Sequence, residues 1–441
     1  MNSDQGQRAT FNLKAVVQET GLKPDTLRAW ERRYGMPQPD RTDGGHRLYS
    51  QKDIETLKWL VSRQEEGMSI SRAINLWHQL DAEGKDPLLL DGFGDVTSSS
   101  PAPVYTGGEK IRDVCRAWVE ACLNFDEQRA EHILNQAFAL FSPEVVCFEI
   151  LQRGLTDIGD KWHKDLITVQ QEHFATSLAM RKLEGLVAAT PPPTRPGRFV
   201  VACAPSEEHS FNPLLITFLL RRYGWEAIYL GADVPAYKME VTMAQTKPQL
   251  VILTAQQLFT AANLMELALV LRSENIHVAY GGLIFNLWPA IRKRIPGYFL
   301  GERMDNIPHA IEKNMGTLGV LPNIEPLAER WQQALDHFQT QRAIIENDVW
   351  HQLSPSGIPY HYLANAHAIF GRNIRAALQL GNIEYVGTTF SWVKGLFIAD
   401  EMDADRLVLY LKAYHAALQQ HLAQDVCRPI IEWLENLITP L

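Results

Sequence analysis

The feature that most limits the fold is a rhythm between residues 198 and 315. Five short apolar runs, FVVACAP, AIYLGADV, LVILTA, HVAYGG and YFLG, are separated by segments of helical character, and four of them end near Gly or Pro. Alternating strand and helix in this way builds a parallel sheet in a doubly wound, flavodoxin-like domain. Around it the chain divides by composition. Residues 10–80 are helical and Arg-rich. Residues 81–108 hold Asp, Gly, Pro and Ser and read as a flexible linker. Residues 109–190 read as helices, with Ile111, Val114, Cys115, Trp118 and Cys122 on one apolar face. PPPTRPG punctuates the chain at 191–197, and residues 325–441 return to helices. The expectation is a multidomain α and α/β chain: a helical head, a helical bundle, a doubly wound domain and an all-α C-terminal domain. No repeat of fixed period is evident.

The chain has 441 residues and a net charge of −9, which by itself argues against a nucleic-acid partner. The average conceals a split. Residues 1–80 carry 12 Lys/Arg against 10 Asp/Glu, or +2, which leaves −11 for the remainder. A DNA-binding head on an acidic sensory body has this profile. No basic start leads into an apolar N-terminal run, and no stretch of about 18 apolar residues occurs, so neither a secretory signal nor a membrane span is expected. The five cysteines are scattered without a CxxC pair, which speaks against a zinc site and for a reducing cytoplasm.

Within the head, Asn12–Glu19 and Asp25–Tyr34 read as two helices around a turn, with Pro24-Asp25 as a sound helix start. Thr26, Arg28, Arg32 and Arg33 offer groove and phosphate donors, while Leu27 and Trp30 suit the core. Arg41, Gly44-Gly45, His46, Arg47 and Tyr49 suit a tight β-wing touching phosphates. LRAWERRYG followed by RTDGGHRLYS resembles the MerR family of winged helix-turn-helix regulators over about 70 residues. The resemblance implies DNA contacts by Arg28, Arg32, Arg33, Arg41, His46, Arg47 and Tyr49. It also implies a homo-oligomer, a dimer or tetramer, on a two-fold double-stranded DNA operator.

In a doubly wound sheet the loop after the first strand lies at the carboxyl edge, where ligands bind. That loop carries Glu207 and His209. An imidazole ligates transition metals, and a neighbouring carboxylate fixes its tautomer and raises its basicity. Position and spacing resemble the cobalamin-binding module, whose pattern is Asp/Glu-x-His-x-x-Gly, then Ser-x-Leu, then Gly-Gly. Here Asn212 stands at the first Gly, Thr254-Ala255-Gln256 keeps a hydroxyl but loses the Leu, and Gly281-Gly282 is intact. Asn accepts positive φ better than most residues, so the loop is expected to tolerate the change. The resemblance implies His209 as the lower cobalt ligand. It implies Thr254 as a hydrogen-bond partner of the displaced nucleotide tail, with Gly281 and Gly282 letting that tail pass close to backbone.

Trp162-His163, then Glu172-His173, gives Trp, nine residues, Glu-His. This resembles the cap of CarH- and LitR-type photoreceptor repressors, in which a four-helix bundle covers the upper face of adenosylcobalamin. The resemblance implies Trp162, Glu172 and His173 around the adenosyl group, and His163 as the cobalt ligand once light removes it. It further implies repression in the dark and release in light. Two other readings share these residues: a light-indifferent cobalamin sensor, and a corrinoid methyl-transfer carrier. The head and the Trp-to-Glu-His spacing favour a regulator over that carrier, and no separate catalytic constellation appears.

Residues 325–441 admit a dimerisation or docking domain with an aromatic core, or a second ligand site. Photocobilins pair the corrin with a helical bilin-binding domain, a similarity here of architecture alone. Cys427 reads as a buried structural cysteine rather than a thioether attachment point for a bilin.

Overall fold

The computed structural model describes residues 11–20, 22–41, 47–65, 70–82, 108–164, 166–315, 322–387 and 404–439. The chain divides into two compact units, Met1–Pro103 and Val104–Leu441. Residues 83–107, nearly all of the expected linker, lie outside the described residues.

In the first unit, α1 (Leu13–Thr20) and α2 (Pro24–Tyr34) form the helix-turn-helix, followed by α3 (Gln51–Glu65) and α4 (Ile70–Ala82). Pro24 opens α2, where its missing N–H costs nothing, and Gly35 closes it in the left-handed region at φ +70°. Leu27 and Trp30, one turn apart, join Val16, Ile54, Leu57, Trp59, Leu60 and Trp77 in the core. Strands β1 (Phe11–Asn12), β2 (Asp40–Arg41) and β3 (Arg47–Tyr49) make a small antiparallel sheet in the order β1-β3-β2.

The second unit begins with the bundle. It comprises α5 (Gly108–Leu123), α6 (Glu127–Leu140), α7 (Pro143–Val146), α8 (Arg153–His163) and α9 (Val169–Ala188). A π-helical stretch, Cys147–Gln152, joins α7 to α8 without a break. Asp126 caps α6, and Thr168 with Gln171 forms a capping box on α9. Gln171 Nε2 also donates to the Leu123 carbonyl, tying the start of α9 to the end of α5 at 2.7 Å.

The sheet that follows is β4 (Arg198–Cys203), β5 (Glu226–Gly231), β6 (Leu250–Thr254), β7 (Val278–Gly281) and β8 (Tyr298–Phe299). All pairings are parallel, in the order β5-β4-β6-β7-β8. The five apolar runs thus became the five strands, although the last keeps only two residues. The order reverses between β4 and β6, so the loops after these two strands diverge and open a crevice at the carboxyl edge. On one face lie α10 (Phe211–Arg222) and α14 (Ile307–Met315), and on the other α11 (Met239–Thr246), α12 (Leu258–Ser273) and α13 (Leu283–Leu287). Helix α10 is apolar nearly all round because it is sandwiched. Ile216 and Leu220 meet the sheet, while Phe211, Leu214, Leu215, Phe218 and Leu219 enter the core of the bundle. The bundle is therefore seated on the helix that starts at the His209 loop.

Helices α15 (Glu329–Leu353), α16 (Tyr360–Leu380), α17 (Ala404–His421) and α18 (Gln424–Ile438) form the all-α C-terminal region. Its core is continuous with that of the sheet rather than separate. The seam runs along α12: Arg372 lies 3.9 Å over the Phe259 ring, and Glu266 takes hydrogen bonds from Arg375 and Gln379 at 3.0 and 2.6 Å. Cys427 is fully buried, and burial pushes its thiol up to about 11. Among the described residues no helix is long and apolar enough to cross a membrane.

Candidate functional site

The crevice at the strand-order reversal is built around one carboxylate. Glu207, 1% exposed, sits in the loop after β4 and has both oxygens doubly engaged. Its Oε1 accepts from the His209 backbone N–H at 3.0 Å and faces His209 Nδ1 at 2.5 Å. Its Oε2 accepts from the Gln256 backbone N–H at 2.6 Å and the Thr260 hydroxyl at 2.7 Å. Burial opposes the charge on Glu207, but these hydrogen bonds outweigh it and hold the carboxyl below its usual range. In turn, the bond to Glu207 raises the His209 imidazole above its ordinary value despite partial burial, with help from the charges of Glu207 and Glu172.

His209 itself is 57% exposed. Its Nδ1 is committed to Glu207, so Nε2 is the ring's remaining ligating atom, aimed from a fixed base. A neutral imidazole oriented by a buried carboxylate is a strong donor to a transition metal. Such an imidazole could hold a transition metal through Nε2. Thr260, on the first turn of α12, was not anticipated from sequence. A single Thr at a helix start, 53 positions after Glu207, carries no local pattern.

One expectation needs correction here. Asn212 does not take a left-handed turn. It lies in the first turn of α10, and its Oδ1 accepts from Gln152 Nε2 of the bundle at 3.2 Å. The loop's left-handed residue is Ser206, φ +64°, whose N–H donates to Asp233 Oδ1. Gly282 meets a steric requirement of the fold itself. Its φ is +134°, and a Cβ there would stand 1.8 Å from the Ala255 carbonyl oxygen. Around Gly281 a Cβ would meet open space. Thr254 is buried at 2% exposure, and its hydroxyl meets only Cys203 Sγ at 3.9 Å.

The bundle carries the other group of expected site residues. Trp162 and His163 end α8 side by side, ring centroids 5.0 Å apart. Glu172 lies in the first turn of α9, where the helix dipole favours a carboxylate, and His173 follows it. Glu172 accepts from the Thr176 hydroxyl at 2.7 Å and contacts His173 Nδ1 at 2.7 Å.

In the head, Arg28, Arg32 and Arg33 are exposed along α2, opposite buried Leu27 and Trp30. Arg47 is instead tied to Glu31 at 2.7 Å, and this bond raises its pKa. It braces the wing against α2. Tyr49 is a core residue, 1% exposed, because β3 turns it inward, so it does not present itself to DNA. His46 and the Arg41 side chain lie outside the described residues.

A family model described as MerR HTH family regulatory protein matches residues 11–80, and one described as B12 binding domain matches residues 114–186. The second match falls on the bundle. The chain is 30% identical over 246 residues to the HTH-type transcriptional repressor CarH of Myxococcus xanthus, covering 55% of this chain and 77% of that protein. It is 29% identical over 248 residues to the repressor CarA of the same organism, covering 56% and 76%. Among solved structures, the monomethylamine corrinoid protein of Methanosarcina barkeri aligns with 48% of this chain and 100% of its own, at 20% identity and a TM-score of 0.39.

Proposed function

We propose, given that this chain belongs to the CarH family of cobalamin-binding, MerR-type transcriptional regulators, that it is a light-responsive repressor. It would act as a cytoplasmic homo-oligomer on a double-stranded DNA operator, without enzymatic turnover. One observation carries the cofactor part: His209 is held open to the crevice by a buried carboxylate that has no spare acceptor position. His209 would hold the metal through Nε2, with Glu207 and Thr260 fixing its ring. Trp162, Glu172 and His173 wall the upper side, and His163 stands next to Trp162 for a second contact in the light state. When bound, adenosylcobalamin supplies a weak, photolabile cobalt–carbon bond. Arg28, Arg32 and Arg33 carry the DNA contacts, and loss of the oligomer would remove most affinity by lost multivalency. Residues 325–441 serve as a docking domain; a bilin there would have to be held without Cys427.

The test is an absorption spectrum and elution volume with adenosylcobalamin, in darkness and after green light. A bound adenosyl spectrum that converts on illumination, with a change in oligomer size, is expected, and His209→Ala should abolish both. Light-driven dissociation that survives His209→Ala overturns the reading, and a bound corrin indifferent to light reduces it to a cobalamin sensor.

A further inference from the structure

We propose that Asp233 is a positioning residue for His209, acting by locking the central peptide of the strained turn that leads into the His209 loop; its part in ligation rests on the cobalamin reading above. The turn runs from Ala204 to Glu207 and is closed by the Glu207 backbone N–H, which donates to the Ala204 carbonyl at 3.0 Å. Pro205 stands second and Ser206 third, with Ser206 at φ +64°. A hydrogen-bonded turn with Pro second and a positive φ third is type II, and its third position ordinarily calls for Gly or Asn. Serine there holds a conformation that its Cβ resists.

What keeps that conformation in place is the grip on the peptide joining Pro205 to Ser206. Its N–H donates to Asp233 Oδ1 at 2.6 Å, and its C=O accepts from Asn263 Nδ2 at 2.9 Å. One end is thus held by the loop after β5 and the other by α12. The type I alternative differs mainly by a flip of this peptide, which reverses both groups and brings the third residue to negative φ. Both bonds would break. Asp233 also returns a bond, since its backbone N–H donates to the Glu207 carbonyl at 2.9 Å. Glu207 carries the carboxylate that orients His209, so a flipped turn would re-aim the carboxylate and the imidazole with it. Asp233 sits at φ +45° itself, a region that Asp tolerates better than most residues. Ser206 and Asp233 are both exposed, so neither fills the core, and the hydrogen bonds are what a substitution would remove.

The experiment follows full-length protein in darkness with adenosylcobinamide, which carries no base of its own, so that an imidazole-ligated absorption spectrum reports on His209. Wild type should bind it ligated. Asp233→Ala should leave most of the bound corrinoid with a detached lower face and weaken binding about tenfold, the lower end of the usual cost of losing a ligand's outer support. Asn263→Ala frees the other end of the same peptide and should do likewise. Asp233→Asn keeps an acceptor for the Ser206 N–H and should stay ligated. The decisive variant is Ser206→Gly. Glycine takes positive φ without strain, so adding it to Asp233→Ala should restore the ligated spectrum and most of the affinity. A general loss of structure has no reason to be repaired by that change. Full ligation in Asp233→Ala, or a loss that Ser206→Gly leaves unrepaired, overturns the proposal. Failure of wild type to bind any corrinoid overturns the cobalamin reading instead. The lock is then judged in the ligand-free crystal structure of Asp233→Ala, where a flipped turn with Ser206 at negative φ supports it and an unchanged turn overturns it.

Discussion

Below the site, Glu207 is 1% exposed and each of its oxygens is engaged twice, whereas above it Glu172 is 27% exposed and His173 74% exposed. The lower wall is anchored from two separate chain segments, the loop after β4 and the loop after β6 running into the first turn of α12. The upper wall draws on two adjoining helix ends, α8 and α9. A wall whose polar groups are already paired holds a ligand without rearranging. A wall of half-buried Trp162 and Glu172 beside exposed His163 and His173 can adjust to whatever it covers. Under the proposed function, the lower ligand would be set by the fold, and the upper face would be left to report on the state of the cofactor.

Glu207→Gln should have the largest effect. It removes the charge that raises and orients His209, and cobalamin affinity should fall by about 10- to 100-fold in an absorbance titration, the usual cost of losing a ligand's carboxylate partner. An unchanged affinity would break the contrast, since the buried network would then contribute nothing. An intermediate effect tests a third kind of polar site, in the C-terminal helices. His367 contacts the Tyr410 hydroxyl through Nδ1 at 3.0 Å, and its Nε2 is buried without a partner among the described residues. Burial lowers its pKa to about 4, while an unfolded imidazole titrates near the model-compound value of 6.5. The unfolded chain therefore takes up the proton first. Stability from this group is intact above about pH 6.5 and drains as pH falls toward 4, by on the order of 2 kcal/mol. Thermal melts at pH 7 and 5 should show the loss, and His367→Asn should flatten it. The smallest effect belongs to Trp162→Ala. Lower ligation should persist, and only the adenosyl form should bind several-fold more weakly, with the hydroxo form unchanged. Equal weakening of both forms would mean that Trp162 is part of the anchored wall.

Much of this was legible in the chain itself, for physical reasons that differ by region. Buried strands demand unbroken apolar runs, so FVVAC and LVILT announced β4 and β6. The Glu207-x-His209 pair was visible because two residues of complementary chemistry lie within one loop. Thr260 was hidden because its meaning comes from tertiary placement alone. Tyr49 misled because it sits among arginines, and the strand alternation that turns it inward is only three residues long. Asn212 misled because a family position was read as a backbone constraint, while the residue in fact starts a helix. The shared core of the sheet and the C-terminal helices could not be foreseen, since an apolar helical face does not name its partner.

The π-helical stretch at Cys147–Gln152 also carries a geometric consequence. One residue of an α-helix advances the side-chain direction by about 100°, and a π turn holds one residue more than an α turn. Everything downstream on α8 is rotated by that surplus. Trp162 and His163, at its far end, owe their compass bearing to a miscount made about ten residues earlier. A lineage that regularised this turn by a single deletion would keep every side chain of the cap and aim the pair elsewhere.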